Sequence, residues 1–514
     1  MSEGVSSAAA AEIGCCVAGS LKKVYSELEA LLGVSFAWDN AAARVIIADG
    51  IDLAGLSGSP VVLVCGEVSG ENPDLQQIKL PFALGQAASR LLSEGQAEEE
   101  AQVPRLDEML QQVRNILGRE LRHWAEVPPL PWGHPYAMAL THDIDILSLK
   151  EMPLGRTFLG YYYRSSIVNW RRRRAGKISR GEFAQTLWEM FRTGAARLGL
   201  GTDCWQKSLA RLRSIEQRLD VRSSLYFMPF ASTPGHGRVA GMAPANRASY
   251  YKVSEKASLL QELEQQGWEV GVHGIDAWHS TAEARSEFEQ ICGLTGRTDL
   301  GVRMHWLYFN APASFSCMDQ AGFLYDSTFG FNEVAGFRAG TLQPYHPLNC
   351  GRLWELPLHI QDGALLGEEH GGLSRGDACA KAGQVLDWAR KLGGAVSLLW
   401  HNQSFAAPRF WGEVYERLVE DAQKDQAWIA LPRDVLAWFA ARRSCRVTVR
   451  RESARNWVLE CAGPAPEPPL PPLRIRFHIA PEEVESASAP YEPGAGFIDL
   501  QAQPVIYVKV KGES

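Results

Sequence analysis

The chain has 514 residues, 46% of them apolar and 22% charged, with a net charge of −7 at neutral pH. That length exceeds one ordinary core, so two to four domains are expected, and the modest negative charge gives no reason to expect nucleic-acid binding. Ten cysteines without a C-x-x-C pair form neither a disulfide framework nor a zinc knuckle; they read as reduced thiols, which points to the cytosol.

Residues 1–20 have no basic start and no sustained apolar core, so no signal peptide is expected. No run of about 18 apolar residues predicts a spanning helix. Residues 21–32 carry helical spacing, 44–48 and 61–64 read as short strands, and 106–124 as an amphipathic helix. The acidic run 94–102 reads as a solvated surface segment. The prolines of Val127-Pro128-Pro129-Leu130-Pro131-Trp132 mark an extended linker, which closes a small N-terminal α/β domain over 1–130.

From 131 to 443, apolar runs alternate with helical stretches. Strands are predicted at 137–140, 224–228, 269–273, 302–306, 324–327, 353–358, 396–400 and 428–431. Helices are predicted at 203–219, 254–267, 281–292, 377–392 and 410–426. The alternation argues for βα units and a parallel sheet. Seven or eight repeats fit a closed or nearly closed β/α barrel better than an open sheet, with the chemistry at the carboxyl ends of the strands. An insertion after the first of these strands contains Tyr161-Tyr162-Tyr163-Arg164 and Arg171-Arg172-Arg173-Arg174. It is either a solvated helix face or a flap meeting an anionic group such as a nucleotide diphosphate or lipid-linked carrier. Alternating segments at 446–449, 457–460, 473–477 and 505–508 predict a β-sandwich-like appendage over 444–514.

The first barrel strand ends in Thr141-His142-Asp143-Ile144-Asp145. Strand alternation puts Asp143 and Asp145 on one face, one step apart. Two carboxylates that close repel unless a cation or a shared proton relieves them. Later strand ends supply His273, Arg303 with His305, Asp326, and His401. Neutral imidazoles with a carboxylate are the usual set for zinc or a similar divalent ion. Each has an ordinary structural explanation alone; five ionisable strand ends at one barrel mouth do not.

The order of these motifs resembles the polysaccharide deacetylase family, the NodB-homology or carbohydrate esterase family 4 fold. Thr141-His142-Asp143-Ile144-Asp145 is similar to the family's first motif in an Asp-x-Asp variant, and His273 to His279 to its second. Arg303 matches the third, Tyr325-Asp326-Ser327 the fourth and Leu399-Trp400-His401 the fifth. The resemblance spans roughly residues 136–440. It implies a NodB-like (β/α)7-8 barrel carrying a metal-dependent hydrolase that removes an N-acyl group, N-acetyl first among them, from an amino sugar. By position it implies Asp143 as general base, Asp145 and His273 as metal ligands, and His401 as general acid. Arg303 would hold Asp143, and Asp326 would fix the His401 tautomer. Zn2+ is the expected ion, with Co2+, Ni2+ and Mn2+ as alternatives.

The second motif departs from the family, whose two histidines stand four apart. Here His273 and His279 are six apart, with Asp276 between them. The spacing therefore does not fix the third ligand: His279 is the residue that the resemblance implies, with Asp276 and His305 as alternatives. Trp278 is expected as a pocket wall or sugar-stacking platform, His305 otherwise as a substrate contact, and Arg338 as a site for an anionic substrate group. The expected substrate is an amino-sugar-containing small molecule or a lipid-linked glycan of surface-polysaccharide assembly, handled in the cytoplasm. Rival readings are a deformylase or other non-peptide C–N amidohydrolase, and a glycan-binding pseudoenzyme on the same fold.

Overall fold

The computed structural model describes residues 13–40, 43–56, 60–121, 123–237, 248–370 and 372–511, so most of the segment 1–20 lies outside the described residues. In the N-terminal region β1 (Ile13–Val17), β2 (Ala37–Trp38), β3 (Val45–Asp49), β4 (Val61–Val64) and β5 (Gln76–Lys79) form one parallel sheet, in the order β2-β1-β3-β4-β5. Parallel strands covered on both faces read as continuous apolar runs rather than alternating ones. One face puts Cys15, Val45, Ile47 and Leu63 against the helices Lys22–Leu32 and Arg105–Glu120. The other packs Cys16, Ile46, Ala48 and Val62 against Leu53, Leu56 and Leu75. Both adjacent cysteines are thus buried, and all ten in the chain are unpaired.

The Lys22–Leu32 helix stops at Gly33, where φ is 74° and an added Cβ would meet the Val127 carbonyl at 2.1 Å, so only glycine fits. The helix's last carbonyls would otherwise be orphaned. Arg114 takes those of Leu31 and Leu32, and Arg442, on the Pro432–Ser444 helix, takes those of Ala30 and Leu31. The N-terminal layer is bolted to the central one through these two guanidiniums.

After β6 (Ala125–Glu126) comes the central sheet: β7 (Ala137–Ile144), β8 (Ser224–Phe227), β9 (Glu269–Gly274), β10 (Gly301–Met304), β11 (Tyr325–Asp326), β12 (Trp354–Glu355), β13 (Ile360–Gln361), β14 (Ala395–Leu399) and β15 (Trp428–Ala430). The order is β12-β11-β10-β9-β8-β7-β14-β13, all parallel, with β15 also pairing β7. Every predicted strand of this region is present, and β13 was not foreseen. The sheet curls but does not close. β12 and β13 are its two ends, each only two residues long, and no ladder joins them. Residues 356–359 cross the seam instead, Leu356 N donating to the Asp326 carbonyl and His359 N to that of Ser397.

The C-terminal region has two four-stranded antiparallel sheets. One is β16 (Arg446–Arg451), β17 (Asn456–Ala462), β22 (Val505–Val510) and β19 (Val484–Ala487) in that order. The other runs β20 (Tyr491–Pro493), β21 (Ile498–Gln501), β18 (Arg474–Phe477) and β6. Leu459, Ile475, Phe477, Leu500 and Ile506 fill the layer between them. The linker strand β6 therefore belongs to the C-terminal layer, with Glu126 opposite Arg476. Among the described residues no helix is long and apolar enough to cross a membrane.

Candidate active site

The pleat of β7 sorts its polar residues. His142 faces away from the mouth, held between the Trp400 carbonyl at 2.7 Å and Glu216 at 2.9 Å. Thr141 and Asp143 face the other way, toward a fully buried Arg303 at the end of β10. The Arg303 guanidinium donates to Thr141 Oγ1 at 2.6 Å, to Asp143 Oδ1 at 3.4 Å and to the hydroxyl and carbonyl of Ser327, both at 2.8 Å. One planar cation thus ties β7, β10 and β11 together and fixes the Asp143 carboxylate.

Asp145, the first residue past β7, is where the strand ends converge. Its Oδ1 lies 3.1 Å from His273 Nε2 and 3.8 Å from His305 Nε2; its Oδ2 lies 3.3 Å from Gln403 Nε2 and 3.8 Å from His401 Nε2. Burial alone would raise this carboxyl, but the surrounding imidazoles hold it well below the usual range. One ligand atom from each of Asp145, His273 and His305 lies within 4.8 Å of the others. His273 Nδ1 donates to the Arg303 carbonyl at 2.9 Å, which leaves Nε2 turned toward Asp145. The donor set fits a divalent ion of the zinc type, two imidazoles and one carboxylate with a side left open.

His305, one of the two alternatives, therefore stands where the resemblance implied His279. His279 lies instead with His236 and Glu283: its Nδ1 is 3.0 Å from Glu283, and the two imidazoles stack at 3.8 Å. The physical reason is the turn after β9. Asp276 and Ile275 donate their backbone N–H groups to buried Glu287, which pins the turn down, and His279 sits half exposed just before the Thr281–Thr295 helix. The Asp276 carboxylate accepts from His236 N at 2.8 Å. His236, His279 and Glu283 could themselves group around an ion, but on the surface.

His401, just past β14, is oriented by a residue that sequence reasoning missed. Its Nδ1 is 2.7 Å from Asp362 Oδ1 and its backbone N–H donates to Asp362 Oδ2 at 3.0 Å; Ser404 Oγ also donates to that carboxylate. Burial lowers the His401 pKa, but the carboxylates of Asp362 first, then Asp145 and Asp143, together outweigh it and carry the imidazole up to about 9. Asp326 does not fill this role. It lies on β11, five places from β14 in the sheet, whereas Asp362 follows β13, the neighbour of β14. Asp326 accepts from the Thr328 backbone N–H and hydroxyl and forms a buried carboxyl pair with Glu355. Burial raises both groups, and the Asp326 carboxylate pushes Glu355 up further.

A cavity of about 220 Å³ opens above Asp145 and His305, walled by Trp306, Met228, Gln403, Arg164 and Arg409 among others. Trp306 is 46% exposed and sits at φ 61°, ψ 20°, a left-handed conformation that a bulky residue adopts only where its surroundings enforce it. It, rather than Trp278, is the aromatic at the rim. Trp278 is 7% exposed and packs edge-on against Tyr308. Arg338 donates to the Gly330 carbonyl at 3.0 Å and lies over the Phe329 ring, so its guanidinium is engaged in the fold. A larger cavity, about 630 Å³, lies in the N-terminal region beside Asp49, whose carboxylate accepts from Tyr25. It holds no comparable set of acid, base and imidazole groups, and the chemistry is assigned to the smaller one.

No family model and no curated protein matches the chain. Among solved structures it is similar to a candidate polysaccharide deacetylase from Mycobacterium smegmatis, at 16% identity and a TM-score of 0.37, over 63% of this chain and 99% of that one. A family 4 acetyl xylan esterase from Clostridium thermocellum, in complex with a cobalt ion, is 12% identical with a TM-score of 0.27, over 45% and 83%. A carbohydrate esterase family 4 pseudoenzyme from Bacillus anthracis is 10% identical with a TM-score of 0.29, over 59% and 66%. The likeness to carbohydrate esterase family 4 is a distant one.

Proposed function

We propose that the chain is a metal-dependent amidohydrolase that removes an N-acyl group, N-acetyl first, from an amino-sugar unit. The observation that carries this reading is the placement of Asp143 and His401 beside the Asp145–His273–His305 group. His273 Nε2 is 3.7 Å from Asp143 and 3.1 Å from Asp145, and His401 Nε2 is 3.8 Å from the second oxygen of Asp145. A divalent ion held there, zinc first with cobalt, nickel or manganese as alternatives, supplies Lewis acidity toward the acyl carbonyl and lowers the pKa of the attacking water.

The chain's own residues divide the proton work. Asp143, fixed by Arg303, takes a proton from the attacking water as its oxygen bonds to the acyl carbon. His401, cationic through Asp362, gives its proton to the amine nitrogen as the C–N bond breaks, releasing a carboxylate and a free amino sugar. Trp306 offers the sugar ring an apolar face, and Arg164 and Arg409 favour an anionic substrate such as a nucleotide sugar or lipid-linked glycan of surface-polysaccharide assembly. The unpaired cysteines support action in the reducing cytoplasm.

The test is product analysis. Zinc-reloaded protein is incubated with N-acetylated amino-sugar oligomers and with nucleotide-linked N-acetyl amino sugars, and acetate and free amine are measured together. Equimolar release that disappears in Asp143→Asn and His401→Ala is expected. Formate released from N-formyl analogues, with no acetate, would transfer the reading to deformylation. Glycan binding by calorimetry without product would support the pseudoenzyme instead.

A further inference from the structure

Residues 154–200, inserted after β7, bury Phe158, Tyr161 and Ile178 together with several polar side chains. Ser165, Asn169, Thr186 and Thr193 are buried between two helical arms, with Asn169 Nδ2 donating to Thr186 Oγ1. Ten other large apolar side chains are exposed to solvent. On the arm formed by the Arg156–Tyr163 helix, the π-helical turn Arg164–Val168 and the Asn169–Arg174 helix, the outward residues are Leu159, Tyr163, Ile167 and Trp170. On the Arg180–Arg197 helix they are Leu187, Trp188 and Phe191, followed by Leu198, which is 81% exposed. The first set recurs every three or four residues, and Phe191 stands four after Leu187 and three after Trp188, so each arm presents an apolar stripe on one helix face. Of fourteen exposed large hydrophobic residues among those described, ten lie in this insertion.

Charge shows what covers the stripes. Residues 154–200 contain ten Arg and Lys against two Glu, a net charge of +8 in a chain whose total is −7. Arg171, Arg174 and Arg180 are exposed where the two arms join, and Arg174 lies over the Trp170 ring at 5.1 Å. Aromatic and aliphatic residues outward on a helix, bordered by arginines, are the composition of an element that lies in a membrane interface. A second copy of the chain would bring the same +8 against itself, whereas an anionic bilayer supplies the opposite charge.

We infer that residues 154–200 are an interfacial anchor that seats the protein on an anionic phospholipid surface without spanning it. The insertion also reaches the catalytic cavity. Arg164 is part of its wall, and Asn169 donates to the carbonyl of Pro408, another wall residue. Docking would place the cavity mouth next to the lipid surface. The inference rests on the insertion's own faces and holds whatever reaction the cavity performs.

The test is flotation of the full chain with vesicles of phosphatidylcholine alone and of phosphatidylcholine mixed with phosphatidylglycerol. Wild type is expected to float with the mixed vesicles, less so as salt rises. Paired substitution of Trp188→Ser with Phe191→Ser, or of Arg171→Glu with Arg174→Glu, should each weaken binding at least about tenfold. All four side chains are exposed, and unchanged circular dichroism confirms that the variants fold. Three results would overturn the anchor: no flotation of wild type, equal flotation with both vesicle types, or wild-type flotation by the variants. So would a dimer, seen by sedimentation without vesicle binding, that the Trp188→Ser, Phe191→Ser variant dissolves.

Discussion

At the scale of single residues, proton donation is proposed for His401, held in orientation by Asp362. His401→Ala should lower kcat by about 10²- to 10⁴-fold. Asp362→Asn, which leaves the imidazole in place but removes its charged partner, should lower it by about 10- to 100-fold with little change in KM. Steady-state kinetics on the metal-loaded protein checks both. A neutral Asp362→Asn beside a crippled Asp326→Asn would restore the role first expected of Asp326. The strand-end alternation made Asp143, Asp145, His273, Arg303 and His401 visible as candidates in the sequence, because each stands where an apolar run stops. His305 and Asp362 were harder to place. Which strand end neighbours which depends on sheet order, and that order is long-range. Asp362 also follows a two-residue strand with no apolar run to announce it, and the likeness to the family's second motif drew attention to His279 although its spacing departs from that motif.

At the scale of elements, Arg442 is the residue whose loss should be felt furthest from the site. Its guanidinium donates to the carbonyls of Val127, Ala30 and Leu31 and to the Gln343 side chain, at 2.8 to 3.2 Å. Truncation to alanine removes this donor from the Val127 and Ala30 carbonyls and the Gln343 side-chain oxygen, while Leu31 keeps Arg114; at about 1–3 kcal/mol for each acceptor left unpaired, Arg442→Ala should lose about 3 kcal/mol or more in denaturant unfolding. Arg442→Lys should recover only part, because an ammonium lacks the planar fork. A loss below about 1 kcal/mol would mean that the helix end is satisfied in another way. The long periodic elements of the central region were legible in the sequence for the same reason that they are stable: their apolar faces are long and continuous. β5 was not, because the edge strand Gln76-Gln77-Ile78-Lys79 is largely exposed and carries no apolar signal. β2 was too short to read.

At the scale of the whole molecule, the linker ties the layers together through Glu126. Its carboxylate meets Arg114 of the N-terminal region at 2.8 Å and His478 of the C-terminal region at 3.1 Å, and Trp124 stacks on the His478 ring. Burial would raise this carboxyl, but Arg114 and His478 bring it down from 4.5 to about 2. A depressed carboxylate contributes stability that is fully present above its ordinary pKa and is lost as pH falls through the folded value. The contribution amounts to roughly 3 kcal/mol. Unfolding free energy should therefore drop between about pH 4.5 and about pH 2 more steeply in wild type than in Glu126→Gln. Equal slopes would show that the junction is not held by this charge.

Convergence of three strand ends, those that carry Asp145, His273 and His305, on one ion is the central claim, and metal stoichiometry tests it most directly. Purified protein is stripped, reloaded with zinc and analysed by mass spectrometry beside Asp145→Ala, His305→Ala and His279→Ala. One tightly held ion per chain is expected in wild type and in His279→Ala, with loss of that ion in Asp145→Ala and His305→Ala. Wild type that holds no stoichiometric ion after reloading, or that loses it with His279 and keeps it without His305, would contradict the account.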